Sequence, residues 1–365
     1  MSDATANLPL VSIVVPVFNG EGYLRESLDS ILAQTYPRTE IIVMDDASTD
    51  RTPEVVASYG DKVHYYRQAE NRGIYGNMND GIALAEGEYI AIYHADDVYN
   101  PRIVEREVEF LQQHPEAGAV FCKDIFINPE GQECGRLELV PEVRGGKPLD
   151  YRVILNTLLK YQNYIFRCPS CMVRASVYKE LGGYRDQEFR NTSDIEMYLR
   201  ISKNYPVGIL DEYLFSYRWG HGNSGQRYRH LRTDPNRFFT IMDLYLAEGG
   251  IPLATPEALT DYEAHRAEDN LMRVVNHYIL GQRREARDVL SHVRLRQITA
   301  SGRIQRGRLL VLLLMLRVLV RVPKIQFVTD IFYKRWHTKR DLSRPPTLSI
   351  LKSKIIPKRR EGWQN

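Results

Sequence analysis

Between Val11 and about Asp124, short β-branched apolar runs alternate with amphipathic stretches, and no other feature of this chain restricts its fold so tightly. The runs are VSIVVPVF (11–18), EIIVMD (40–45), KVHYYR (62–67) and EYIAIY (88–93). The first two are nearly uninterrupted, as strands buried on both faces are. GYLRESLDSILAQTY lies between them, with Leu24, Leu28, Ile31 and Leu32 at helical spacing. STDRTPEVVASYG and YNPRIVEREVEFLQQHP each predict a helix entered through a polar cap and a proline, Thr52 with Pro53 and Asn100 with Pro101. Such a βαβαβ series predicts an α/β fold, a mainly parallel sheet with helices on both faces, and a ligand crevice beyond the carboxyl ends of the strands.

Polar groups gather at those ends: Asn19 after the first strand, Asp45 and Asp46 after the second, Asp96 and Asp97 after the fourth. Each alone is ordinary loop chemistry; together they predict one acidic crevice. The stretch GEYIAIYHADDVYNP sets an electrostatic problem, because its apolar strand runs straight into two adjacent carboxylates. Either water solvates them or a bound cation neutralises them.

Beyond residue 125 the pattern loosens, until SDIEMYLRISKNYP marks another amphipathic helix through Ile195, Tyr198 and Leu199. Residues 228–300 are polar and helix-forming, without strand alternation. The formal charge of +3 hides an asymmetry: residues 301–365 hold 16 Lys+Arg against 3 Asp+Glu, the first 300 residues 33 against 43. A basic tail suggests a polyanion, a membrane surface or nucleic acid. Its apolar run, 309–316, would span only about 12 Å as a helix, against a bilayer core of about 30 Å. A helix there groups Arg303, Arg306, Arg317, Arg321 and Lys324 in one sector, which suits a membrane interface; packing against the catalytic domain is the competing arrangement. MSDATANLPL has no basic n-region, so no secretory signal is expected and the protein is placed in the cytoplasm, or peripherally on the cytoplasmic face of a membrane. The four cysteines fit reduced thiols there; Cys168 and Cys171 have CxxC spacing, but no second CxxC or HxxxH accompanies them.

VSIVVPVFNGEGYLRESLDSILAQTYPRTEIIVMDDASTDRT, then ENRGIYGNMNDGIALAEGEYIAIYHADD, then GGYRDQEFRNTSDIEMYLR resembles, in that order, the family 2 inverting glycosyltransferases of the GT-A fold. The likeness runs from Val11 to about Ser224. It implies that Pro16, Val17, Phe18 and Asn19 line a nucleotide pocket, that Asp46 hydrogen-bonds the base, and that Arg72, beside Asn71 and with Asn79 in the same motif, meets the diphosphate. It implies that Asp96 binds ribose and that Asp97 coordinates Mg²⁺ or Mn²⁺ through the diphosphate oxygens. His94 stands where an acid is common in relatives, which predicts fewer negative ligands and weaker metal binding; a packed or hydrogen-bonded imidazole is expected there, with direct ligation the alternative. By the same resemblance Asp194, at the start of its helix, is the base that takes the acceptor's proton, and the helix N-terminus favours its ionised form. Ser193 replaces an acid common in relatives. YRWGHGNSG resembles the family's Tyr-Arg-x-His segment with one extra residue, making Arg218 and His221 candidate acceptor or diphosphate contacts.

The expected organisation is an N-terminal segment (1–10), a GT-A domain (11–225), a helical extension (226–300) and a basic, partly amphipathic tail (301–365). The expected activity is metal-dependent transfer of a sugar from a nucleotide-diphosphate donor to an acceptor hydroxyl, on a surface glycan or lipid-linked glycan, at an anionic membrane and without nucleic acid. The alternative is a non-catalytic nucleotide-sugar-binding or scaffolding module of the same fold. A haloacid-dehalogenase phosphatase is disfavoured, since MDDAST carries Ala47 where that chemistry needs a second Asp.

Overall fold

Seven consecutive buried residues, Val11–Val17 (β1), form an inner strand of a nine-stranded sheet. In the computed structural model, which describes residues 7–220, 231–300 and 306–336, the chain divides into two compact units, Met1–Thr157 with Ile165–Arg218, and Leu158–Tyr164 with Trp219–Asn365.

In the first unit β1 is followed by α1 (Leu24–Leu32), β2 (Thr39–Asp45), α2 (Thr52–Ala57), β3 (His64–Arg67), α3 (Ile74–Leu84) and β4 (Tyr89–Ile92). Then come β5 (Val98–Tyr99), α4 (Ile103–Gln113), β6 (Ala119–Ile127), β7 (Glu133–Arg136), α5 (Tyr151–Tyr161), β8 (Cys171–Arg174), α6 (Ala175–Leu181), α7 (Asp186–Phe189), α8 (Ser193–Asn204) and β9 (Val207–Arg218). The strand order is β3-β2-β1-β4-β8-β6-β9-β5, with β7 against β6. β1 to β4 are mutually parallel, β8 and β5 run antiparallel to their neighbours, and β6 and β9 return to parallel pairing.

Register aligns the strand ends. β1 pairs with β2 from Val11↔Thr39 to Val17↔Asp45, and with β4 from Val11↔Tyr89 to Val14↔Ile92, so residues 18–19, 46 and 94–97 leave the sheet at one edge. α3 reaches β1 closely because Gly81 has no side chain; a Cβ there would lie 2.4 Å from Val14 Cγ1. Two expected caps differ. α2 begins at Thr52 itself, whose N–H donates to Asp50 Oδ1 at 3.0 Å, so the nearer carboxylate takes the capping role. α4 begins at Ile103, because Asn100 Oδ1 accepts the N–H of Arg102 at 3.0 Å and forms a turn ahead of the helix.

The second unit contains α9 (Arg237–Tyr245), α10 (Pro256–Ile279), α11 (Arg283–Ser291), α12 (Leu295–Thr299), α13 (Arg306–Leu319) and α14 (Gln326–Trp336), and no strand among the described residues. Thr255 accepts the N–H of Ala258 and Pro256 occupies the first turn, which starts α10. Leu271, Val274 and Tyr278 of α10 share one apolar core with Leu309, Leu313 and Leu316 of α13 and Phe332 of α14. The described part of the basic tail, 306–336, thus packs one face within its own helical unit. Its helix stops at Leu319, before Arg321 and Lys324; the Lys324 ammonium donates to the carbonyl of Ile279, completing the C-terminus of α10. Arg303, the fifth member of the expected basic sector, lies outside the described residues.

Candidate active site

At the end of β1, Pro16 and Val17 are buried in the strand while Phe18 and Asn19 stand exposed at the rim. Asn19 adopts φ 52°, its N–H donates to Ser48 Oγ at 2.9 Å, and its Oδ1 accepts the N–H of Thr49 at 2.8 Å. The β1 and β2 ends are therefore one tied turn. Asp45 is wholly committed to it: its oxygens accept the N–H of Ser48 at 2.8 Å and the hydroxyl of Tyr65 at 2.6 Å.

Asp46 does something the sequence did not suggest. Its carboxylate accepts the successive backbone N–H groups of Arg72 (2.7 Å) and Gly73 (3.0 Å), fixing the loop that opens α3. A carboxylate has about four acceptor sites, so room remains for a further donor. The Arg72 guanidinium pairs with Asp80 at 2.7 Å and is half exposed, so it stands at the loop but is held back against α3. Asn71 donates to the Asp46 carbonyl at 3.3 Å. Asn79 has a scaffold role: its amide both accepts from and donates to the backbone of Tyr184, each at 2.8 Å. Gly183 is required beside it, since a Cβ would meet Asn79 Oδ1 at 2.2 Å.

After β4 the chain turns through His94, Ala95, Asp96 and Asp97. Asp97 is buried, and its Oδ1 accepts the backbone N–H of Arg218 at 2.8 Å while Oδ2 has no hydrogen-bond partner among the described residues. Burial, then the neighbouring Asp96 charge, pushes its carboxyl well above the usual range. Ligand atoms of His94, Asp96 and Asp97 all lie within 4.8 Å of one another. An orphaned, buried carboxylate oxygen next to a second acid fits a hard divalent cation, so Asp97 and Asp96 are the residues that would hold one.

Asp194 sits at the start of α8, hydrogen-bonded to the hydroxyl of Tyr75 from the first turn of α3. Burial raises its pKa, outweighing the opposing pull of the Ile195 amide and the Tyr75 hydroxyl; the expectation that the helix N-terminus would dominate is reversed. Ser193 turns its hydroxyl back to the carbonyl of Arg190 at 2.7 Å and leaves the Asp194 carboxylate untouched. Burial first, then the Asp194 charge, pushes the Cys168 thiol up to about 12, with Asp97 a further contributor. All four cysteines are free thiols, and burial holds Cys168 and Cys171 protonated and inert.

Arg218 is brought to the site's underside. It is 1% exposed, and its guanidinium donates to the carbonyls of Asp96 (2.9 Å) and Pro129 (3.1 Å) and pairs with Glu26 at 2.5 Å, beneath the Tyr23 ring. Those contacts brace the acidic turn. His221 lies outside the described residues. Sequence reasoning missed Tyr75 and Glu26. A tyrosine two residues after the NRG loop and an acid on the polar side of α1 carry no signal until their partners, more than a hundred positions away, are known.

The sequence profile described as Glycosyl transferase family 2 matches residues 12–182. EpsE of Bacillus subtilis, named as a glycosyltransferase, is 32% identical over 220 residues, 58% of this chain and 73% of EpsE. A Rickettsia felis protein named as an uncharacterized glycosyltransferase is 32% identical over 228 residues, 60% of this chain but 35% of the relative, so the chain spans about a third of that protein. Among solved structures, S. aureus TarS 1-349 superposes with a TM-score of 0.56 at 18% identity, covering 91% of this chain and 93% of TarS 1-349, a likeness of fold. TarS 1-349 has also been crystallised with UDP-GlcNAc, where the TM-score is 0.55 at 19% identity, with the same 91% and 93% coverage. The mainly parallel sheet and its helices are the GT-A architecture.

Proposed function

This chain belongs to glycosyl transferase family 2, and from that premise we propose that it moves a sugar from a nucleotide-diphosphate donor to an acceptor hydroxyl, with inversion and with help from Mg²⁺ or Mn²⁺. The observation that carries this reading is the buried Asp97 carboxylate, whose Oδ2 has no hydrogen-bond partner among the described residues and which clusters with Asp96 and His94. Arg72 meets the diphosphate from the Asp46-anchored loop once it leaves its pair with Asp80, Asp46 keeps acceptor capacity for the base, Phe18 and Asn19 form the rim, and Asp96 meets the ribose. Asp97 would hold the divalent cation, which would supply positive charge to the departing diphosphate. Asp194 takes the proton of the acceptor hydroxyl as that oxygen bonds to the anomeric carbon, on the face opposite the breaking bond to the diphosphate. One base suffices, because the leaving group needs no proton, and a pKa raised by burial brings Asp194 nearer the pH at which it works. UDP-GlcNAc in TarS makes a uridine donor the first to try.

We also infer that the acceptor is a glycan, at the cell surface or on a lipid carrier, and that the protein works peripherally on the cytoplasmic face of an anionic membrane. No described helix is long and apolar enough to cross one. Support comes from an exposed face of the second unit: among the described residues, eight of the fifteen exposed large apolar residues lie between Val311 and Tyr333. Val311, Leu314, Met315 and Val318 form one stripe of α13, and the exposed Arg306, Arg317 and Arg321 accompany it.

The direct test is a thermal-shift panel of nucleoside diphosphates with and without Mn²⁺, followed by assay of nucleotide-sugar hydrolysis with the best binder. A rise in Tm that needs both nucleotide and metal is expected, since ligands of the native state stabilise it. Absence of any rise across uridine, guanosine, cytidine and thymidine diphosphates would remove the donor reading; binding without turnover would point to the non-catalytic module.

A further inference from the structure

Two buried polar atoms at the acidic turn have no hydrogen-bond partner among the described residues, Asp97 Oδ2 and His94 Nε2. Orphans of this kind are rare in folded proteins, and here they belong to two residues that, with Asp96, place one ligand atom each within 4.8 Å of one another. The scaffold braces both residues. The His94 backbone N–H donates to the Tyr99 hydroxyl at 2.5 Å, and its carbonyl accepts from Ser27 Oγ of α1 at 2.9 Å. Tyr99 is itself stacked on Tyr93 with ring centroids 4.1 Å apart. On the other side, Asp97 is fixed through Oδ1 by the N–H of Arg218. Unpartnered atoms on two separately braced residues of one turn call for one species that both can bind.

Ligands about 2.0–2.3 Å from a single ion stand at most about 4.6 Å apart. The observed spacing meets that limit after a contraction of a few tenths of an ångström, within the reach of side-chain rotation. Resting on the metal-dependent reading above, we propose that His94 is a direct ligand of the divalent cation held by Asp97, so that the site joins one imidazole nitrogen to its carboxylates and prefers Mn²⁺ or Co²⁺ to Mg²⁺. A neutral nitrogen in place of an acid removes a negative charge from the site, which costs most for Mg²⁺, a hard ion that favours oxygen and sheds its water reluctantly. Imidazole binds the later first-row ions progressively better. The departure from the usual acid at position 94 then selects a metal as well as weakening the site.

Pulsed EPR on the full-length protein loaded with Mn²⁺, with and without UDP, reads this directly. The expected result is ¹⁴N modulation from a bound imidazole in the wild type, lost in His94→Gln while Mn²⁺ still binds through the carboxylates. In competition titrations, His94→Asp is expected to lower the Mn²⁺-over-Mg²⁺ preference at least about tenfold. The wild-type spectrum needs no variant to fold. Bound Mn²⁺ without ¹⁴N coupling, or coupling that persists in His94→Gln, overturns the ligation by His94 and leaves the metal reading standing. No Mn²⁺ binding with or without UDP overturns both.

Discussion

The backbone N–H of Arg218 reaches across 121 positions to donate to Asp97 Oδ1 at 2.8 Å, and so divides the work of that carboxylate. One oxygen belongs to the scaffold, the other is left for chemistry. Asp97→Asn keeps an oxygen for Arg218 and loses the charge. Its fold should persist, with Tm unchanged or raised because a buried carboxylate has gone, while the Mn²⁺-dependent part of nucleotide diphosphate binding disappears. Thermal shifts with and without Mn²⁺ check both halves, and unchanged metal dependence would take Asp97 out of the site.

The Arg218 side chain braces that turn through backbone carbonyls, the Glu26 carboxylate and the Tyr23 ring, and a lysine can satisfy only part of the set. Arg218→Lys should cost about 2–3 kcal/mol of stability, the scale of lost charge-assisted hydrogen bonds, without a specific loss of diphosphate affinity in protein that remains folded. Urea melts paired with nucleotide titrations separate the outcomes. A large affinity loss at unchanged stability would restore the sequence-based assignment of Arg218 as a diphosphate contact.

Asp194→Asn keeps the size of the side chain and cannot take a proton. Turnover should fall about 10²- to 10⁴-fold, with donor affinity nearly unchanged. Tyr75→Phe removes a hydroxyl that donates to the ionised carboxylate, so the Asp194 pKa should rise further and the acid limb of the kcat–pH profile should move to higher pH. An unmoved limb would mean that another group is the base.

Glu107 offers a test of burial alone. It is fully buried in α4, its Oε2 accepts the Tyr93 hydroxyl at 3.0 Å, and burial lifts its pKa well above the ordinary value. The folded state therefore binds its proton more tightly than the unfolded state. Stability is lost as pH rises from about 4.3, the unfolded value, towards the raised folded value. Glu107→Gln should match the wild type below about pH 4 and exceed it at neutral pH, by about 1.4 kcal/mol for each unit of the shift. Parallel stability curves across pH would contradict the assignment.

Membrane docking is tested on the exposed stripe of α13, since cutting the chain at residue 300 would also strip Leu309, Leu313 and Leu316 from the core. Val311→Glu with Val318→Glu should leave Tm nearly unchanged and greatly reduce co-sedimentation with anionic liposomes. Each basic residue near such a surface adds about 1 kcal/mol at most, so binding by the wild type should weaken with salt but persist through its apolar part. Equal sedimentation of variant and wild type would sink the docking face.

The local sequence determined the fold class and most of the residues at the crevice, because these depend on short-range properties. Apolar period and length distinguish the β1 and β2 runs from the helices between them, and parallel register then brings Asn19, Asp46, Asp96 and Asp97 to one edge whatever else the chain does. Asp194 was legible as an acid at a helix start. Tertiary structure decided how each group is used. Asp46 gives part of its carboxylate to the amides of Arg72 and Gly73, 26 and 27 positions away, and Arg218 turns inward to meet Glu26, 192 positions away. Burial sets the pKa of Asp194 against the helix N-terminus. The 309–316 run of α13 is uniformly apolar as a string of letters, yet Leu313 is buried and Leu314, one residue on, is 59% exposed. Hydrogen-bond partners and desolvation come from distant segments, and a periodic pattern records which face a residue shares without recording what arrives to meet it.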